Sequence, residues 1–250
     1  MLCGIALIVL TSLLDAFMRA NRKHSPGFAH FANGLTGRLA YIAALDGLLL
    51  VTVLLFSRPL SARDFLSRMG LNRMPTVAGW CAGWVALGLA VLDHYGAARG
   101  WTASARIPAQ RGGYPTEQAV FLVTTSVFIG PLVEEIVTRG FLYRALRACY
   151  PLVLSIGLVI CFSAFFHSGS MSRSAFTALC LVSLWVALCI VREHSASLWN
   201  CVFCHWIYNA AVIRQWSLCA AGMILVLLIC RRQVLQLLGA GTSGSREYES

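Results

Sequence analysis

Three short polar patterns interrupt a sequence that is otherwise suited to lipid: Glu134-Glu135-x-x-x-Arg139, then His167, then His205-x-x-x-Asn209. Ionisable residues at membrane depth are costly, so they mark chemistry, conduction or a proton path. A carboxylate pair, two imidazoles and an amide suit the activation of water better than bulk transport. Between them they offer a base, a partner that orients the water, and donors for an oxyanion.

Glu135 and Arg139 are four apart with the acid first, so they can pair along one helix face. Glu134 sits about 100° away around the helix and is left free to act on something else. Pro131 removes a backbone donor and crowds the preceding turn. The expectation is a break or kink there, with both glutamates within a turn of freed N–H groups that favour negative charge. His205 and Asn209 share a helix face. Taken singly they suit the interhelical hydrogen bonds that hold membrane helices together, and His167 alone suits an interfacial helix end. Their occurrence together is what favours chemistry.

With Gly140 after the arginine, and Ser197-Leu198-Trp199 leading into His205, these motifs resemble the CPBP family. That family contains the type II CAAX prenyl endopeptidases and their bacterial relatives, including bacteriocin-associated proteins. The resemblance covers about residues 117–213 and implies an intramembrane endopeptidase that cuts near a substrate's C-terminus. In that reading Glu134 and His167 polarise the attacking water, His205 and Asn209 stabilise the tetrahedral oxyanion, and Glu135 with Arg139 holds the shape of the site. The family's second motif usually carries Phe four residues before the His; here that residue is Ser163, with phenylalanines at 162, 165 and 166. Thr138 stands where relatives often have an aromatic residue. The family has also been described as metalloproteases, and Glu134, His167 and His205 could give zinc three ligands with a fourth position open to water. No HExxH pattern is present. The favoured reading is a metal-free carboxylate mechanism without a cofactor.

The elements that must position these residues follow from composition. Of 250 residues, 58% are hydrophobic and 12% charged, and the mean hydropathy is +0.71. Soluble domains carry about 25% charged residues, so the chain reads as a polytopic membrane protein. Crossing the bilayer core takes about 20 apolar residues. Apolar runs near 2–18, 39–56, 76–95, 117–133, 152–168, 174–191, 196–213 and 216–230 predict an all-α bundle of about eight transmembrane helices, with the site on the fourth, fifth and seventh. One transmembrane domain over 1–238 is expected, followed by a Gly/Ser-rich disordered tail at 239–250. The first run lacks a basic n-region and a small-residue cleavage site, so it reads as a retained helix. Between the second and third runs, Arg58, Arg63, Arg68 and Arg73 recur every five residues among apolar side chains. That pattern fits either a basic amphipathic helix on the membrane surface or a solvated loop.

The net charge of +10 lies mostly in loops between apolar runs. It reads as topology and contact with anionic headgroups in the bilayer, not as a nucleic-acid face. Most of the ten cysteines lie in apolar runs and behave as small hydrophobes. Cys201-x-x-Cys204-His205 imitates a haem-attachment motif, but haem there would sit inside a spanning helix and take His205 from Asn209. The expected partner is a membrane-associated peptide or lipidated protein substrate. Nineteen arginines against one lysine favour a multi-pass protein of a bacterial inner membrane. The rival readings are a non-catalytic scaffold or immunity-type member of the family and, less favoured, a proton-coupled transporter.

Overall fold

The computed structural model of the chain describes residues 16, 20, 25–27, 35–58, 61–101, 120–121, 123–172 and 174–243. Among them there is no strand. The helices are α1 (Leu35–Ser57), α2 (Ala62–Met69), α3 (Val77–Ala98), a continuous helix α4 over 124–147, α5 (Leu152–Phe166), the short α6 (Ser168–Met171), α7 (Ala175–His194), α8 (Trp199–Val212) and α9 (Trp216–Ser243).

Among the described residues, four segments are long and apolar enough to cross a membrane: Ala40–Ser57, Val77–Ala98, Ala175–His194 and Trp216–Gln233. The described residues form a helical bundle with the spans of an integral membrane protein; of the eight expected runs, 2–18 and the start of 117–133 lie largely outside the described residues. The apolar run at 196–213 becomes α8, 14 residues long and so about 21 Å. Cys201, Val202, Cys204 and Ala211 on it are fully buried. Its apolarity serves packing inside the bundle more than contact with lipid. The first run, 2–18, falls outside the described residues except for Ala16. Of the tail expected over 239–250, residues 244–250 lie outside the described residues. After the lipid-grade run ends, Arg231, Arg232, Gln233 and Gln236 are good helix formers, and α9 continues to Ser243.

Small residues set the centre. Gly79, Ala82, Gly83, Ala86 and Ala90 of α3 are buried, and a Cβ at Gly83 would lie 2.7 Å from Met223 Sδ of α9 and 2.9 Å from Ile207 Cδ1 of α8. Such a seam allows the close approach that membrane helices use in place of a hydrophobic driving force. Cys201 and Cys204 extend the same packing, directing Sγ to the carbonyls of Leu188 and Ala82.

The basic stretch after α1 folds as a helix. Ser61 Oγ caps α2 by accepting from the Asp64 N–H at 3.1 Å, and Gly70 ends it in a left-handed conformation at φ 82°. The segment that follows is held to the start of α8: Leu198 N–H donates to Gly70 O at 3.0 Å, and Trp199 Nε1 donates to Leu71 O at 2.9 Å.

α4 departs most from the expectation. Pro131 does not break it. The helix runs through in an α-helical turn, Gly130–Glu135, between two π-helical segments, Thr124–Ile129 and Ile136–Leu142. Each π segment contains a threonine whose hydroxyl bonds back to the carbonyl four residues earlier: Thr125 to Phe121 at 2.8 Å and Thr138 to Glu134 at 2.5 Å. Such back-bonding loosens and bends helices, and π-bulges recur at functional sites. The two glutamates thus lie in mid-helix, flanked by wide turns, and not at a helix start.

Candidate active site

α4 presents Glu134 and Glu135, α5 ends on His167, and α8 contributes His205. The structure brings these four together. His167 Nε2 lies 3.7 Å and His205 Nε2 3.9 Å from the same oxygen, Glu134 Oε2. His205 Nδ1 lies 2.9 Å from Glu135 Oε1, which also accepts from Arg139 Nη1 at 3.1 Å. The Glu135–Arg139 pair read from the spacing is therefore formed, and its bonded oxygen also orients the histidine.

The tautomers follow from the partners. A backbone carbonyl can only accept, so His167, whose Nδ1 is 3.0 Å from Ser163 O, carries its proton on Nδ1. Glu135, paired with a guanidinium, likewise accepts from Nδ1 of His205. The Nε2 of each ring then faces Glu134, and in His167 it is left as an acceptor. Glu134 Oε2 and His167 Nε2 are two acceptors facing one space, which suits a water molecule with two hydrogens to give.

Burial grades the group. Glu135 and Arg139 side chains are 0% and 1% exposed and His205 4%, whereas His167 is 28% and Glu134 35% exposed. The Glu135–Arg139 pair is sealed scaffolding, and Glu134 with His167 forms the accessible face. Arg139 is held further by Thr138 Oγ1 at 2.9 Å and the Trp185 carbonyl at 3.4 Å. His167 meets the edge of Trp185 with centroids 5.3 Å apart.

Ser163, in the place of the family's phenylalanine, is buried and serves through its backbone. The aromatic packing comes from Phe162 against Phe166, 4.8 Å between centroids. Asn209 lies one turn beyond His205 but hydrogen-bonds elsewhere: its Nδ2 donates to Ser126 O at 2.7 Å. It makes no hydrogen bond to Glu134, His167 or His205 among the described residues. Trp206 Nε1 donates to Phe128 O at 3.1 Å, so α8 stitches the first π segment at two carbonyls.

Glu134 Oε2, His167 Nε2 and His205 Nε2 are the atoms that could face a metal. The two separations from Glu134 Oε2, 3.7 and 3.9 Å, are wider than the roughly 3.3 Å between two ligands of a tetrahedral zinc. No trio of His, Cys, Asp or Glu among the described residues is gathered to hold an ion.

Two further residues bear on the site. Asp46 of α1 lies within electrostatic reach of Glu134, with Oδ2 buried and unpartnered among the described residues. Arg192 is buried and donates to four carbonyls, those of Met69, Arg139, Ser195 and Ala196, tying α2 and α4 to the turn before α8. Only an arginine without an acid at helical spacing hinted at it.

Residues 116–211 match a family model described as type II CAAX prenyl endopeptidase Rce1-like. The match covers less than half of the chain and spans all three motifs. No curated protein and no solved structure matches the chain.

Proposed function

We propose that this chain, whose segment 116–211 belongs to the type II CAAX prenyl endopeptidase Rce1-like family, hydrolyses a peptide bond near the C-terminus of a membrane-associated substrate using water activated by Glu134 and His167. The observation that carries this reading is the aim of two imidazole nitrogens at one oxygen of Glu134, 3.7 and 3.9 Å away.

A water seated there donates one hydrogen to Glu134 Oε2 and the other to His167 Nε2, leaving an oxygen lone pair for the scissile carbonyl carbon. As the C–O bond forms, the proton passes to Glu134 and the carbonyl oxygen takes up negative charge. His205, charged and held by Glu135 through Nδ1–H, donates from Nε2–H to that oxyanion, and the second N–H of Asn209 adds to it. Collapse breaks the C–N bond, and Glu134 returns its proton to the leaving amine. The products are a free carboxylate and a free amine. No step is routed through a metal.

Family membership points to a prenylated membrane-associated substrate. In the bacterial inner membrane that the arginine-rich composition favours, the substrate is an exported or sorted peptide with an apolar anchor. The test is cleavage of a membrane-anchored reporter peptide in proteoliposomes. Glu134→Gln and His167→Ala each lower the rate about 10²–10⁴-fold, the usual share of acid–base catalysis. Cleavage by Glu134→Gln at the wild-type rate would overturn the assignment.

A further inference from the structure

Away from the catalytic cluster, the structure holds a cavity of about 680 Å³ between α2, the end of α4 and the turn after α7. That volume is typical of small-molecule sites, at roughly 300–1,000 Å³. Glu134 and Arg144 are ten residues apart on α4, about 15 Å of helix rise, so this cavity is not the catalytic one.

The wall is strongly basic: Arg73, Arg144, Arg147 and Arg192 line it, with Glu193 as the one acid among the described lining residues. Glu193 is already saturated. It accepts from Arg147 Nη2 at 2.8 Å and from Tyr143 Oη at 2.7 Å, which neutralises Arg147. The other three guanidinium groups keep their charge. Arg192 donates only to carbonyls, and Arg144 donates to the Arg68 carbonyl. The Arg73 side chain has no hydrogen-bond or ion-pair partner among the described residues, although its own carbonyl accepts from Ser197 Oγ at 2.7 Å. Arg73 and Arg144 are within electrostatic reach of Arg192. Three like charges around one opening repel until an anion joins them, and guanidinium forks match phosphate oxygens in pairs.

The position selects the kind of anion. The last turn of the spanning helix α7 lines the cavity beside α2, and the ends of spanning helices are where lipid headgroups are met. α2 has Arg63 and Arg68 next to an exposed Leu66, the composition of an interfacial helix that can meet an acyl chain. Basic pockets between membrane helices are suited to lipid phosphates.

We propose that this cavity binds the phosphate headgroup of an anionic phospholipid, with Arg73, Arg144 and Arg192 as its ligands. The full-length protein in dodecyl maltoside micelles is titrated with fluorescently labelled phosphatidylglycerol and with phosphatidylcholine of the same acyl chains. Phosphatidylglycerol is expected to bind about tenfold more tightly. Arg73→Gln, which breaks no contact of the fold, weakens it about tenfold, as loss of one charge-assisted hydrogen bond does. Arg231→Gln, an exposed arginine on α9, leaves it unchanged. Equal binding of the two lipids, or equal loss in Arg73→Gln and Arg231→Gln, overturns the proposal. Displacement of phosphatidylglycerol by millimolar inorganic phosphate reassigns the site to a soluble anion and overturns the lipid part.

Discussion

Asn209 donates its Nδ2–H to the carbonyl of Ser126 at 2.7 Å, and that carbonyl is the one Pro131 leaves without a backbone donor. In the π register the N–H of residue i bonds the carbonyl of residue i−5, as the Gly130 N–H does with Thr125 O. The next donor in the series would be residue 131, where proline has none. The proline just ahead of the first motif and the asparagine of the last are thus halves of one structural device.

A double-mutant cycle tests that coupling. Asn209→Ala strands the Ser126 carbonyl in a partly buried place, at a cost of about 1–3 kcal/mol, and thermal unfolding in detergent reads it. Pro131→Ala restores the missing N–H, so the pair together should lose less stability than the two single changes summed. Strict additivity in the melting data would show that the two residues act independently.

How far the sequence could anticipate this site depends on which interactions are local. Glu135 and Arg139 lie on one helix at salt-bridge spacing, and the structure pairs them. The contacts between His205 and Glu135, or between His167 and Glu134, cross between helices and have no spacing to read. Pro131 suggested a helix break because proline is judged by the donor it lacks. Whether a helix breaks or widens depends on Asn209, which lies 78 residues away in the chain. Ser163 departs from the family pattern, yet what His167 uses there is a carbonyl that any residue supplies. Arg192 binds carbonyls alone and leaves no charge pattern behind. Counting spans meets a related limit: an apolar run states that a helix avoids water, and the 14-residue α8 does so by being enclosed.

Glu134 and Glu135 are neighbours with opposite consequences when neutralised. Glu135→Gln leaves Arg139 charged and buried without its counter-ion, a loss of about 3–5 kcal/mol, seen as a large drop in the unfolding midpoint. Glu134→Gln, on the solvent-accessible side, should keep the wild-type midpoint within about 0.5 kcal/mol while activity falls. A glutamine at 134 that unfolds as readily as one at 135 would assign both acids to the scaffold.

The separation of the two Nε2 atoms from Glu134 Oε2 bears on metal dependence. Because it is wider than zinc ligation requires, cleavage in proteoliposomes should proceed at an unchanged rate after prolonged exposure to 1,10-phenanthroline. Inactivation that is reversed by added zinc, and not by magnesium, would replace the carboxylate mechanism with a metal-bound water.

Gly70 is where the fold tolerates no side chain. Its φ of 82° is a conformation L-residues rarely adopt, costing about 1–2 kcal/mol for a residue with a Cβ. The site is also crowded: that Cβ would lie 2.5 Å from the Ala196 carbonyl oxygen and 2.9 Å from Arg192 Nη1. Relieving the contact means moving the turn before α8 or the arginine that clasps it, so Gly70→Ala should cost more than the backbone penalty alone. Since the same turn leads into the helix bearing His205, cleavage should fall with stability. Gly88→Ala is the control, because nothing lies within 4 Å of a Cβ there, and alanine in a helix gains roughly 0.5–1 kcal/mol over glycine. Unfolding midpoints that move down for the first and up or not at all for the second support the clasp. A Gly70→Ala protein that melts and cleaves like wild type would mean that the α2–α8 junction yields freely and does not set the site.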